Sequence, residues 1–384
     1  MVANETGAGR ESALRGLRAF GQSPWLDHIE REMLETGELG NLIERFKLGG
    51  LTSNPSIFAA ALGGSSRYDA AIARLARDGA TSLEIYDRLT RADIVAAAAL
   101  FEPVYERSAR TDGFVSIEVS PYHANDRDAT IAEAERLWRV LGCPNVMIKV
   151  PGTDAGVEAL PVLIARGVNV NVTLLFALER YREVAEAYLD GLEKAAADGA
   201  DLSAIASVAS FFLSRIDTAL DPRLELIVAE RGKNQRSAKS LRGRIAISSA
   251  KRAYAMFEHQ RAGKRFAKLE AQGARPQRLL WASTSTKNPR ESDVKYVEEL
   301  IGAETVNTMP LPTLLAYADH GDPQPRLKER STEAAENLKR LSALGIDLGE
   351  VVERLLEEGA QKFREAYDAG LAAVEQKRSA AAAG

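Results

Sequence analysis

One lysine stands inside an apolar run. Residues 145–152 read NVMIKVPG, with Val146, Met147, Ile148 and Val150 around Lys149 and Pro151-Gly152 closing the run. A segment this short, rich in Val and bounded by turn residues, is expected to be a buried strand. Lysine is seldom buried without a reason. Burial disfavours its ammonium form, and the neutral amine is a nucleophile able to form a Schiff base with a carbonyl. The plainer alternative is a lysine whose stem packs while its head reaches solvent or a carboxylate. Taken alone, Lys149 leaves both readings open.

Neighbouring stretches carry polar groups at strand spacing. In residues 114–120 (FVSIEVS), Val115, Ile117 and Val119 point one way and Ser116, Glu118 and Ser120 the other. In residues 168–175 (VNVNVTLL), three valines share one face and Asn169, Asn171 and Thr173 the other. Further polar residues end other short apolar segments: Asp27, Asn54, Ser210, Ser283 and Thr308. Each has an ordinary reading. Asp27 could cap a helix, Asn54 could make an Asx turn before Pro55, and Glu118 could merely neutralise Lys149. If they converge, they offer an amine for an imine, carboxylates to move protons, and neutral groups to hold hydroxyls. Two segments suggest phosphate binding. SFFLSR places Arg215 after Phe212, and ASTSTKN supplies Ser283 and Lys287 with further hydroxyls.

Eight strand-like segments must position these groups: 23–27, 49–56, 114–120, 145–152, 168–175, 205–212, 278–283 and 305–310. Helical stretches alternate with them, at 28–46, 59–109 (broken at Gly63-Gly64 and Gly79), 128–141, 154–165, 177–197 and 293–301. Residues 213–268 are helical and longer than one crossover needs. Repeated strand-then-helix units make parallel strands with right-handed crossovers. Strands of an open doubly wound sheet are covered on both faces and read as continuous apolar runs. Here two strands are polar on one face, and no glycine-rich phosphate fingerprint follows an early strand. We therefore expect a single (β/α)8 TIM barrel with extra N-terminal and C-terminal helices, the polar faces pointing inward and towards the C-terminal ends. The domain reading is an N-terminal extension at 1–20, frayed to about residue 10, a barrel over 21–378, and a flexible tail at 379–384.

The totals narrow the class. The 384 residues are 27% charged with a net charge of -4, so there is no basic field for nucleic acid or an anionic membrane. Cys143 is the only cysteine, which precludes an intramolecular disulfide and suits a reducing compartment. Four scattered histidines lack metal-ligand spacing, and no apolar run approaches membrane-spanning length. The expectation is a cytoplasmic protein without a metal site.

The motifs LTSNPSIF, SIEVS, NVMIKVPGT, VNVTLLF, SFFLSR, WASTSTKNP and TVNTMP, in this order and spacing, resemble the transaldolase family from about Trp25 to the last helices. The resemblance implies a barrel with the Schiff-base lysine, Lys149, on strand four, and no metal or organic cofactor. It implies transfer of a dihydroxyacetone unit from sedoheptulose 7-phosphate to glyceraldehyde 3-phosphate, a step of the non-oxidative pentose phosphate pathway. Small sugar phosphates are then the partners, with neither nucleic acid nor membrane, and the chain acts as a monomer or homodimer. Asp27 moves the C4 hydroxyl proton. Glu118 and Thr173 position a water. Asn54, Asn171, Ser210 and Phe212 contact the sugar, and Arg215, Ser283 and Lys287 the phosphate. Many transaldolases carry Ser-Phe-Arg at the phosphate loop, where this chain has ASTSTKN. Fructose-6-phosphate aldolases of the same family usually have glutamine in place of Glu118 and tyrosine in place of Phe212, so both positions favour the transferase.

Overall fold

The computed structural model describes residues 6–383. Eight strands, β1 (Gln22–Leu26), β2 (Gly50–Thr52), β3 (Phe114–Glu118), β4 (Val146–Pro151), β5 (Val170–Leu175), β6 (Ser207–Phe212), β7 (Arg278–Ala282) and β8 (Thr305–Met309), form a closed barrel in sequence order. Every pair is parallel, and β8 returns to pair with β1. With helices between the strands, this is the expected (β/α)8 barrel. No helix among the described residues is long and apolar enough to cross a membrane.

The register follows from the alternation. Glu118 pairs with Lys149 and Lys149 with Asn171, so three polar side chains share one inward level. The outward valines Val115, Val146, Val170 and Val172 are at most 0% exposed beneath the helix layer. Lower in the barrel, the Trp25 indole lies across β2. A Cβ at Gly50 would come within 2.6 Å of its ring and of the Phe114 carbonyl, so only glycine fits there. Asp112 anchors the floor, accepting from Ser23 Oγ at 2.8 Å and pairing with Arg278 at 3.0 Å and Arg18 at 3.3 Å.

The long helical stretches follow the expectation, including the breaks at Gly63-Gly64 and Gly79, whereas the 293–301 segment and both termini differ from it. Residues 59–109 belong to three helices, Pro55–Gly64, Asp69–Arg77 and Ser82–Arg107, the last opened by a Thr81/Glu84 capping box. Residues 293–301 contain only the one-turn helix Lys295–Glu298. Residues 213–268 hold four helices, Ser214–Ala229, Gln235–Leu241, Ile245–Arg261 and Lys264–Glu270. The first helix already starts at Thr6, within the stretch expected to fray, and its Leu14 and Leu17 are buried; residues 1–5 lie outside the described part. The last helix, Leu348–Ala383, continues through the expected tail, because an alanine run propagates helix at little cost.

Behind the barrel, Asp217 accepts from Tyr296 Oη at 2.8 Å and the Ala246 amide at 2.9 Å. Nearby Asp221 accepts from the Gly243 amide at 2.8 Å. Burial pushes its carboxyl up to about 6, against the pull of that amide and with help from Asp217 and Glu291. A raised carboxyl favours the folded state below its unfolded value of about 4 and loses that contribution as pH rises through the folded value. Asp221→Asn, which keeps the acceptor, should melt with the wild type at pH 4 and above it at pH 7. Identical melting curves at both pH values would contradict this.

Candidate active site

Lys149 lies inside the barrel and is 5% exposed. Its Nζ is 2.7 Å from Glu118 Oε1 and donates to the Ser53 carbonyl at 2.9 Å. That carbonyl is available because β2 ends at Thr52 and the chain turns into the Pro55–Gly64 helix. The head therefore does not snorkel outward. Burial pushes the Glu118 carboxyl up; the Lys149 ammonium opposes this, and the negative charge of Asp27 adds to it. A carboxylate oxygen with raised proton affinity thus lies within hydrogen-bond reach of Nζ.

Asn171 is 0% exposed and links three strands. Its amide donates to Ser116 Oγ at 3.1 Å, and its carbonyl accepts from Ser210 Oγ at 2.6 Å. One inward position further along β5, the Thr173 hydroxyl is buried with no protein partner, as is Glu118 Oε2. An extra residue then breaks the β5–β6 register between Val172 and Leu175. Leu174 takes φ 60°, a costly backbone for a branched side chain and of a kind that collects at functional sites. Bulges near active sites re-aim side chains in this way.

Asp27 follows β1 and does not cap the next helix, which starts at Arg31 after Glu30. Its Oδ1 accepts from Thr52 Oγ1 at 2.6 Å, and Thr52 Oγ1 is 2.7 Å from Thr308 Oγ1. Thr52 has a single proton, given to the carboxylate, so Thr308 donates to Thr52. Asn54 does cap a helix: its Oδ1 accepts from the Ile57 amide at 3.1 Å, which leaves its NH2 group for another acceptor.

The phosphate candidates divide. The Arg215 guanidinium sits 5.3 Å over the Phe212 ring, and Phe212 packs on Phe176 at 5.3 Å. Burial lowers the Arg215 pKa, while Asp27, Glu118 and Glu358 act to raise it, which places its charge in the field of both candidate catalytic carboxylates. Ser283, with φ 55°, has its Oγ 2.9 Å from Ser214 Oγ, and its carbonyl accepts from the Ser214 amide at 3.1 Å. The loops after β6 and β7 are stitched together beside Arg215. Lys287 is exposed and donates to Ser285 Oγ at 2.6 Å, so it is not fixed against the interior cluster.

Some contributors were not singled out from sequence. Thr52 and Ser116 orient Asp27 and Asn171, and Ser53 acts through its backbone. A cavity of about 20 Å³ touches Glu118, Lys149 and Thr173, and its far wall is Ala360 and Phe363 of the Leu348–Ala383 helix. That helix approaches closely at Gly359, where a Cβ would lie 2.9 Å from Leu174 Cδ2 and 3.5 Å from Arg215 Nη1. Tyr122 Oη, donating to Asp368 at 2.8 Å, ties the loop after β3 to the same helix.

A (β/α)8 barrel that buries an amine among carboxylates and hydroxyls at the C-terminal ends of its strands defines a lysine-dependent, carbonyl-handling enzyme. Comparison with known proteins narrows this class. The model of the transaldolase/fructose-6-phosphate aldolase family matches residues 24–374, and the chain belongs to that family. It is 46% identical over 355 residues to a protein named transaldolase from Thiobacillus denitrificans, covering 92% of this chain and 97% of that protein. It is 46% identical over 369 residues to a transaldolase of Mycolicibacterium smegmatis, covering 96% and 98% of the two chains. Transaldolase 1 of Streptomyces coelicolor is 47% identical over 363 residues, 94% of each.

Proposed function

We propose that the chain is a cytoplasmic transaldolase that moves a dihydroxyacetone unit from sedoheptulose 7-phosphate to glyceraldehyde 3-phosphate through a Schiff base on Lys149. The observation that carries this reading is the buried Lys149–Glu118 pair at 2.7 Å. Lys149 passes a proton to Glu118 and attacks the ketose carbonyl. The cavity between Glu118 and Thr173 has room for one water, which relays protons as the carbinolamine loses hydroxide and becomes the imine. The protonated imine draws the electrons of the C3–C4 bond as Asp27 takes the C4 hydroxyl proton and the aldose leaves. The enamine then attacks the acceptor aldehyde, and Asp27 returns the proton.

Asn171, held by Ser116 and Ser210, presents its amide beside the imine. Asn54 uses its NH2 group on a sugar hydroxyl, and Phe212 shapes the end of the pocket. Arg215 and Ser283 receive the distal phosphate, and Lys287 closes on it from solvent. Ala360 and Phe363 keep further water from the enamine, which must outlive donor departure.

The test is borohydride reduction with fructose 6-phosphate followed by peptide mapping. The expected adduct is on Lys149 alone; an adduct elsewhere, or none, would falsify the mechanism. Comparing transfer to erythrose 4-phosphate with release of free dihydroxyacetone separates transferase from aldolase, with transfer expected to dominate. Glu118→Gln keeps shape and removes the proton acceptor. Trapping in a single turnover should slow by about 100-fold or more, with an unchanged circular dichroism spectrum. Wild-type trapping rates in this variant would remove Glu118 from imine formation.

A further inference from the structure

Lys149 Nζ has two acceptors of different kinds. One is Glu118 Oε1 at 2.7 Å, the other the Ser53 carbonyl at 2.9 Å. A carboxylate changes its proton count each time it moves a proton, whereas a peptide carbonyl remains an acceptor at every working pH. An ammonium carries three N–H groups, enough for both acceptors. A protonated imine carries one, because its nitrogen is bonded to Cε and to the sugar carbon. Only one acceptor can then keep it.

The Ser53–Asn54 peptide is anchored on both sides. Ser53 and Ser116 are fully buried. The Ser53 hydroxyl donates to the Ser116 carbonyl at 2.8 Å, and the Ser53 amide donates to the same oxygen at 3.3 Å. Beyond the peptide, Asn54 is the N-cap of the Pro55–Gly64 helix, with proline in the first position, and its carbonyl accepts from the Ile57 and Phe58 amides. The planar peptide cannot swing its carbonyl away without loosening one of these anchors. Ser116 also accepts from the Asn171 amide through its Oγ. The same residue of β3 therefore sets the aim of the Ser53 carbonyl and the place of the Asn171 amide.

We propose that the Ser53 carbonyl, aimed by its own side chain, holds the single N–H of the Lys149 imine while the C3–C4 bond breaks. The inference rests on the Schiff-base reading of Lys149. In that step the C3–C4 electron pair becomes the C2–C3 double bond of the enamine, and the C2–N π pair returns to nitrogen. The C4 hydroxyl proton passes to Asp27 as C4 becomes an aldehyde. Nitrogen keeps its proton throughout, and the sink is charged only while it does. Ser53 is not among the walls of the cavity that touches Glu118 and Thr173. A water there does not compete for the carbonyl, and Glu118, released from the N–H, is left to exchange protons with that water. Ser53 is thus a positioning residue through its hydroxyl and an acceptor through its backbone.

The pH profile of cleavage tests the proposal. Ser53→Ala removes the hydroxyl anchor and leaves the amide anchor. An iminium whose N–H is poorly accepted gives up its proton more readily. The high-pH limb of single-turnover fructose 6-phosphate cleavage should therefore fall about one pH unit earlier than in the wild type, the effect of weakening one hydrogen bond to a charged group. Ser53→Cys, with its weaker donor, should lie between the two. Rates lowered equally at every pH would make Ser53 merely structural and overturn the proposal.

A second measurement needs no change at Ser53. Ser53-Asn54 is the only Ser-Asn pair in the chain. Serine labelled with 13C at its carbonyl and asparagine labelled with 15N therefore give one correlated NMR signal, and accepting a hydrogen bond moves a carbonyl 13C downfield. In the wild type loaded with fructose 6-phosphate, the signal should stay downfield of its position in Lys149→Met. Arrival at the Lys149→Met position would place the N–H elsewhere and overturn the proposal alone, provided borohydride still traps the sugar on Lys149. Loss of trapping in the wild type would instead overturn the Schiff-base reading, and this inference with it.

Discussion

Replacing Lys149 with methionine is expected to abolish both sugar transfer and borohydride trapping, a loss of at least about four orders of magnitude, as removal of an attacking nucleophile typically gives. Among the described residues, no other lysine shares the interior level set by Glu118 and Asn171. The change also touches stability. Glu118 would be left in a side-chain environment 8% exposed without its cation, and breaking one half of a buried pair costs about 3–5 kcal/mol. Its carboxyl, already pushed up by burial, relieves part of that cost by taking a proton. A Lys149→Met/Glu118→Gln double variant should therefore be more stable than Lys149→Met alone in denaturant melts while remaining inactive. Residual transfer in Lys149→Met, or a double variant no more stable than the single, would refute the pairing or the chemistry respectively.

The second large effect separates two steps on one pathway. Asp27→Asn keeps an acceptor for Thr52 but removes the base for the C4 hydroxyl. Transfer should fall by about 10²–10⁴-fold, while fructose 6-phosphate still forms a reducible imine on Lys149. Imine formation without cleavage is the signature to look for. A variant that loses trapping and cleavage together would move Asp27 into the first step, and one that retains full transfer would exclude it as the base.

Lys149, Glu118, Asn171 and Thr173 were legible because period-two alternation separates the two faces of a strand, and a closed barrel leaves only one interior. The plainer reading of Asn54 was also partly right, since its oxygen does cap a helix. Other features were not legible, for identifiable reasons. Ser53 contributes a carbonyl, which every residue possesses. Val294, Val297, Leu300 and Ile301 are all buried and give helical periodicity, yet only one turn among them closes its hydrogen bonds. Ala360 and Phe363 belong to an amphipathic helix whose apolar stripe does not say which cavity it covers. Gly359 matters only through what approaches it, Leu174 and Arg215.

That last helix has a consequence in time. Chains are made from the N-terminus, so all eight strands leave the ribosome before Ala360 and Phe363 are available. Until that helix docks, the cavity beside Lys149 lacks the wall that these two side chains supply. An enzyme whose intermediate must wait for a second sugar becomes competent to wait only when its final helix has docked. Early termination after the strands would remove that wall.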